Sequence, residues 1–463
     1  MSMLSNEEFQ EIWDENPIVV LDTNVLLNLY RWSAGTSEQI LENFNEVIDS
    51  LWIPNQVYTE FQTHKEKIRS QSFNKYKNLT AEVNRTLKNT HTELSKRFLQ
   101  YGKYKFPKIK ELAAVLEGEL EKLKQVSEDF KTSISDEINN NVTLLSNDEV
   151  STLVDTLLAN EKVGNEFSFQ RLLEIYEEGD RRYKYKIPPG YRDEEEKGEL
   201  DIRKFGDLIV WKEILGKSNN EGKRPVIFVT EDVKSDWWEI NADDELVGPR
   251  KELVKEFKDF LEEDVTFNMF TLSEFNTYIS LVTGTNPSRA WIEMNIEEVC
   301  MDFIEEDGSY EYLEDVTLDF LINSGELDGY LSGGSVGDVD INEFDITLDT
   351  LSMDVEGDKV TVEGRIKLRV DTSIQKMYSK YYSVNNDANL EINMNFELNF
   401  SFNYDEDSIE TQDFINHDDF DFEVTNLELT SVNIEDDEDY EVEFCVLCDQ
   451  RPGEIWRKGS YLK

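Results

Sequence analysis

Residues Ile18 to Tyr30, IVVLDTNVLLNLY, constrain the fold more than any other stretch of this chain. A run of four apolar residues, Ile18-Val19-Val20-Leu21, stops at Asp22, and a second apolar segment begins shortly after. Short, β-rich and bounded by a polar turn, the run reads as a buried strand of a parallel sheet. Thr23 and Asn24 suit the start of the helix that follows. A carboxylate therefore stands at the carboxyl end of a central strand, where open α/β sheets place their ligands. Asp22 is either a turn residue or a ligand. The choice depends on whether other segments bring acids to the same edge.

Hydrophobic periodicity organises the rest. Residues 1–60 read strand, helix, helix and a short second strand at Leu51-Trp52-Ile53-Pro54, ended by the proline. From Phe61 to about Leu158 the spacing is helical almost throughout. Leu79, Val83, Leu87, Leu94, Phe98 and Tyr101 form one apolar series. Leu112, Val115, Leu116, Leu120, Leu123, Val126 and Phe130 form another beyond Pro107. Two amphipathic helices broken by a proline predict an antiparallel hairpin, too long for a connection and hence an insertion over about residues 62–160. Residues 180–206 read as a charged loop. A helix over Asp207 to Leu215, a strand over Pro225 to Thr230, a helix over Glu252 to Leu261, a strand over Val265 to Phe270 and a segment over Leu272 to Leu281 complete the first region. Beyond Asn286 the period changes to two, predicting strands at Val316–Leu321, 341–355, 360–370, 390–404, 420–434 and 440–446. These make an antiparallel sandwich or half-barrel with acidic outward faces.

Charge divides the chain in the same way. The net charge is −52 over 463 residues. Residues 286–463 hold 45 acidic against 11 basic side chains, a net of −34, which leaves −18 for residues 1–285. Such a field repels phosphates, so any nucleic acid must be met at a locally basic surface. Residues 60–110 are one candidate, with 13 Lys and Arg against 4 Glu. Lys65 and Arg69 stand in that stretch, and Arg181, Arg182, Lys184 and Lys186 in the later basic segment. The alternative for each is a solvated helix face. Three cysteines cannot build a disulfide framework, which fits a reducing cytoplasm. The polar N-terminus MSMLSNEEFQ and the lack of an 18-residue apolar run argue against a leader or a membrane span. Cys445 and Cys448 lack the second pair that a zinc site needs.

Three further acids fall at places equivalent to Asp22. Glu60 lies early in the helix after the second strand. Asp207 opens a helix after Phe205-Gly206. Asp232 follows the strand over 226–229 by one Thr-Glu step, with Asp236 one turn later. A parallel sheet gathers these groups at one edge, where their mutual repulsion raises their pKa values unless a cation is bound. Hard oxygen donors suit Mg²⁺ or Mn²⁺, and no histidine accompanies them to favour zinc. An all-carboxylate site around such ions serves phosphodiester hydrolysis. Glu213, one and a half turns beyond Asp207, reads as solvent-facing, with a second metal shell as the alternative, and Trp237 and Trp238 read as core.

The motifs IVVLDTNVLLNLY, IPNQVYTEF, YKIPPGYRD, FGDLIVWKEIL and VIFVTEDVKSDWW, in that order, resemble the PIN-domain nucleases, in particular the PIN-like group with a large helical insertion. The resemblance covers roughly residues 15–285 and implies a Rossmann-like parallel sheet, a divalent metal and usually cleavage of single-stranded RNA. Carried over, Asp22, Glu60, Asp207 and Asp232 match the family's acids, Asp236 its optional fifth acid, and Asn24 and Thr230 its supporting polar positions. Asp22, Asp207, Asp232 and Asp236 would be the metal ligands. The long separation of Glu60 from Asp207 departs from the small members and points to restricted access or a substrate clamp. The expectation is a PIN-like α/β nuclease domain over 1–285 and an acidic antiparallel β domain over 290–463. Two other readings stand beside it: a DNA nuclease, and an inactive PIN-like scaffold whose acidic β domain binds a basic protein partner or imitates nucleic acid.

Overall fold

The computed structural model describes residues 4–102, 107–140, 148–198, 200–242, 245–331, 335–379, 382–404 and 406–435. The chain divides into two compact units, Met1–Ile296 with Phe402–Asn416, and Glu297–Ser401 with His417–Lys463.

In the first unit, helix α1 (Asn6–Asp14) leads to strand β1 (Ile18–Leu21), helices α2 (Thr23–Asn28) and α3 (Ala34–Glu46), and strand β2 (Leu51–Trp52). Helices α4 (Asn55–Gly102) and α5 (Pro107–Asn140) follow, then α6 (Glu149–Ala159), α7 (Phe169–Lys184), α8 (Tyr191–Lys197), a 3-10 turn at Ile202–Phe205 and α9 (Gly206–Asn220). Strand β3 (Val226–Val229), a small hairpin of β4 (Trp238–Ile240) and β5 (Leu246–Pro249), helix α10 (Lys251–Leu261), strand β6 (Phe267–Phe270) and helices α11 (Leu272–Thr283) and α12 (Ser288–Met294) complete it.

The sheet order is β2-β1-β3-β6, with every neighbouring pair parallel. Ile18–Leu21 run in register with Val226–Val229, and these with Phe267–Phe270. All four residues of β1 and of β3 are buried, as continuous apolar runs require when helices cover both faces of a sheet. The expected insertion is helical: Asn84 on α4 meets Glu128 on α5, and Leu94 and Phe98 line one cavity with Ala113 and Leu116, so the two helices run antiparallel.

Residues 180–206 are mostly helical, contrary to the loop expected there. Charge and the Pro188-Pro189-Gly190 turn obscured the helices on either side; Gly190 (φ 88°) lets α8 start immediately after the turn.

The second unit opens with helices α13 (Ile296–Glu305) and α14 (Asp307–Asn323) and a 3-10 turn at Leu327–Gly329. Strands β7 (Ser335–Glu356), β8 (Lys359–Ser379) and β9 (Tyr382–Phe402) follow, then helix α15 (Glu406–Thr411), which belongs to the first unit, and strand β10 (Ile415–Glu435). The sheet order is β10-β9-β8-β7, with β7–β8 and β8–β9 antiparallel. Along β8 the buried row Val362, Ile366, Leu368 and Val370 alternates with outward Glu363, Arg365 and Arg369. Val316–Leu321 is helix and not strand. Leu313, Thr317 and Leu321 are buried at four-residue steps, and that longer helical period prevails over a local alternation. A sandwich or half-barrel was the expectation; the described residues of this unit form one four-stranded sheet, with Phe303 of α13 stacked on Phe420 and Tyr310 of α14 edge-on to Phe344. The expected strand over 440–446 and the Cys445 and Cys448 pair lie outside the described residues. Cys300 is a buried thiol. No helix among the described residues is long and apolar enough to cross a membrane.

Candidate active site

Parallel β1 and β3 end side by side, so the loops leaving them meet. The Asp22 amide donates to the Val229 carbonyl at 3.1 Å, carrying the ladder one residue past β1. Asp22 then caps α2: its carboxylate accepts from the Thr23 amide at 2.7 Å and from the Thr230 hydroxyl at 2.6 Å. The fully buried Thr230 hydroxyl also accepts from the Asp232 amide at 3.0 Å and from the Asn24 side-chain amide at 3.4 Å. Asn24 in turn accepts from the Glu231 amide at 3.1 Å. Asn24 and Thr230, expected as supporting residues, therefore lace the two loops together and set the separation of Asp22 from Asp232.

Glu60, on the second turn of α4, reaches the same place. Its carboxylate accepts from the Thr23 hydroxyl at 2.8 Å and from the Gln56 side chain at 2.7 Å. Gly206 leaves it room, since an added Cβ there would stand 3.2 Å from Glu60 Oε1. Asp207, in the first turn of α9, accepts from the indole of Trp237 at 3.1 Å. Trp238 donates its indole proton to the Asp232 carbonyl at 2.8 Å. The paired tryptophans are thus core residues, as expected, whose polar edges also hold two of the acids' segments in place.

The electrostatics are those of crowded carboxylates. Asp22 keeps a little solvent access but is walled by protein. That burial, with the charges of Glu60 and Asp232 adding to it, lifts its pKa from 3.8 to about 6 against the lowering pull of its hydrogen bonds. Burial, then the charges of Asp193, Asp232, Asp22 and Asp236, hold Asp207 well above the usual carboxylate range. Asp232 is raised too, by burial, although Lys234 opposes the shift. The four acids expected from the sequence therefore converge at one sheet edge. Among the described residues, no three acidic, histidine or cysteine side chains stand close enough to cage an ion as they are. Each carboxylate is held by the donors just named.

Asp236 departs from the simple expectation of a fifth ligand. One of its oxygens accepts the backbone amides of Gly190 and Arg192, at 3.1 and 3.0 Å, and so anchors the turn between α7 and α8. Its other oxygen, Oδ1, is buried with no hydrogen-bond partner among the protein atoms. Such an orphaned acceptor in an all-oxygen donor set fits a hard cation, as do the raised pKa values of its neighbours.

One residue of this cluster, Asp193, escaped the sequence reading, and Lys234 had no role assigned from it. Asp193, in the first turn of α8, is buried and accepts from Lys234 at 2.8 Å and Lys197 at 2.5 Å. Lys234 also stands 3.4 Å from Asp232, a cation between two acids. Asp193 closes the motif YKIPPGYRD and could have been found there. It was passed over because no strand precedes it.

The expected nucleic-acid contacts separate into two groups. Arg182 is committed internally: it pairs with Glu178 and Glu256 and donates to the Pro188 carbonyl at 2.6 Å. Arg69 pairs with Asp148, the cap of α6, at 3.5 Å, and Lys65 donates to Ser151 at 3.3 Å, so both brace the base of α4. Arg181, Lys184 and Lys186 are exposed.

Glu213 does not face solvent. It is buried against the start of α4, where its carboxylate accepts from the Gln56 amide at 3.4 Å. Burial pushes its pKa from 4.5 to about 8. An acid raised in the folded state contributes stability that is complete below about pH 4.5 and lost as pH climbs through about 8. Glu213→Gln keeps an acceptor for the amide without the charge. Urea denaturation should find it about 2 kcal/mol more stable than wild type at pH 9 and nearly equal at pH 5. Equal pH slopes for the two proteins would count against this account.

A family model described as a PIN like domain matches residues 18–253, and so spans every one of these acids. No curated protein and no solved structure matches the chain.

Proposed function

Because this chain belongs to the PIN-like domain family, whose members are generally nucleases, we propose that it is a metal-dependent endonuclease that hydrolyses phosphodiester bonds of single-stranded RNA at the Asp22 cluster. The observation that carries the reading is the convergence of Asp22, Glu60, Asp207 and Asp232 from separate chain segments, at an unfavourable electrostatic cost that a hard cation would relieve. Asp22, Asp207 and Asp232 would hold Mg²⁺ or Mn²⁺, and Asp236, whose Oδ1 is buried without a protein partner, would be the further oxygen donor. When bound, such an ion lowers the pKa of a water and neutralises charge on the phosphoryl group. Glu60, steadied by Thr23 and Gln56, would orient that water and take its proton. Lys234, lodged between Asp193 and Asp232, would meet the phosphate oxygens.

The test is a panel of single- and double-stranded RNA and DNA with Mg²⁺ and with Mn²⁺, wild type beside Asp232→Asn. Cleavage of single-stranded RNA by wild type alone supports the proposal, and equal cleavage by both proteins would sink it. Preference for DNA moves the substrate and leaves the chemistry. The inactive-scaffold reading, in which the net −34 carried by residues 286–463 attracts a basic partner, forecasts no heat of Mg²⁺ or Mn²⁺ binding in calorimetry.

A further inference from the structure

The turn joining α7 to α8 carries features that neither the fold nor the carboxylate cluster uses. Tyr183, near the end of α7, is buried against Phe205, with ring centroids 5.5 Å apart. Tyr185, two residues on, is 69% exposed, and Ile187 is 44% exposed. The Lys184 ammonium lies 5.8 Å from the Tyr185 ring centre, and the Arg192 guanidinium 6.0 Å from that of Tyr191. Single exposed apolar side chains are ordinary on a protein surface. Two exposed apolar residues and a partly exposed tyrosine in one short turn, each aromatic beside a cation, form a more specific arrangement.

The turn is also fastened to the acids. Arg182 holds the Pro188 carbonyl at 2.6 Å, and Asp236 takes the amides of Gly190 and Arg192. The backbone of Gly190 approaches so closely that a Cβ there would stand 3.0 Å from the Cβ of Asp207. Whatever rests on Tyr185 and Tyr191 is therefore held in fixed relation to the carboxylates. Charge narrows the choice of occupant. With a net charge of −52, the protein as a whole repels a polyanion, so a few cations cannot supply the grip alone. Stacking on a ring face is not opposed by that field, and it requires bases that are unpaired.

We propose that Tyr185, Ile187 and Tyr191 form a stacking platform for an unpaired polynucleotide beside the carboxylate cluster, with Arg181, Lys184 and Lys186 meeting its phosphates. The proposal rests on the nuclease reading and adds to it the surface that selects a single strand. Affinity comes mainly from the aromatic faces, so binding depends only weakly on salt. Three phosphate contacts give a slope of log affinity against log salt on the order of −2.

The test uses the complete chain in EDTA and fluorescence anisotropy of a labelled 12-nucleotide RNA, its DNA counterpart and their duplexes. Tyr185→Ala should weaken single-strand binding by about tenfold, and Tyr185→Phe should restore it. Duplexes should bind more weakly than either strand, and the two single-strand arms decide between RNA and DNA. Unchanged affinity in Tyr185→Ala, or duplex binding equal to single-strand binding, would overturn the platform. The two readings fail separately. Wild-type cleavage with unaltered KM in Tyr185→Ala removes the platform and leaves the nuclease. Tyr185-dependent binding with no cleavage by wild type in any metal removes the nuclease and leaves the platform.

Discussion

Asp207→Asn is expected to lower phosphodiester cleavage by on the order of 10²-fold or more while making the metal-free protein more stable. The loss follows from removing a charged oxygen donor from the set proposed to hold the cation. The gain has a separate cause. Asp207 is held well above the usual carboxylate range by burial and by the charges of Asp193, Asp232, Asp22 and Asp236. Its folded form therefore resists ionisation, and stability present below the ordinary value of 3.8 is lost as pH rises through the folded value. Asparagine removes the charge and keeps an oxygen for the Trp237 indole, which donates at 3.1 Å. The gain should be about 1 kcal/mol at pH 8 in EDTA and smaller at pH 5. Asp22→Asn should lose activity without that benefit. One of its oxygens accepts from Thr230, and an amide nitrogen in that place would face a hydroxyl already accepting from Asp232 and Asn24. Thermal denaturation of both variants in EDTA at the two pH values measures this. Equal stability changes would refute the assignment of the repulsion to Asp207.

Gly190→Ala should have the largest effect on folding of any single methyl group added near the site. Gly190 has φ 88°, a conformation that L residues rarely adopt. The new Cβ would lie 2.5 Å from the Tyr183 hydroxyl and 3.0 Å from the Cβ of Asp207. Tyr183 cannot swing aside cheaply, because it is buried and its hydroxyl donates to the Lys204 carbonyl at 3.0 Å. Any shift of the turn would also strain the amide bonds to Asp236. Strain and overpacking together should cost about 3 kcal/mol or more, with activity falling as the α7–α8 turn moves off Asp207. Gly222→Ala separates the two causes. Its φ is 77°, but nothing lies within 4 Å of the added carbon, so it should cost only about 1 kcal/mol. Comparable losses for the two variants, measured by thermal denaturation, would mean that the clash is relieved without consequence.

The acids were legible in the sequence because each follows a local signal that needs no tertiary information. Asp22 ends an apolar run of four residues, Asp232 follows another by one Thr-Glu step, and Asp207 opens a helix after Phe205-Gly206. Glu60 lies one turn into the helix that follows Pro54. Asp193 and Glu213 were not legible. Asp193 sits in a charged segment where a strand-end rule does not apply, and Glu213 shows the pattern of a solvated helical residue until α9 packs against the start of α4. The α14 helix was lost for a related reason, since the two-residue alternation at Val316–Leu321 is genuine locally and is overridden only by the longer burial period.

The chain by itself determined the parallel strands, their order of acids and a change to antiparallel β structure, which it set beyond Asn286 although the strands begin at Ser335, because these rest on periods of two and 3.6 residues within short windows. Only the tertiary structure decided which charges meet. Thr230 binds Asp22 across 208 residues, Thr23 binds Glu60 across 37, and Lys234 reaches Asp193 across 41. Those pairings depend on register and helix packing, and through them a row of strand-end carboxylates becomes one electrostatically coupled site.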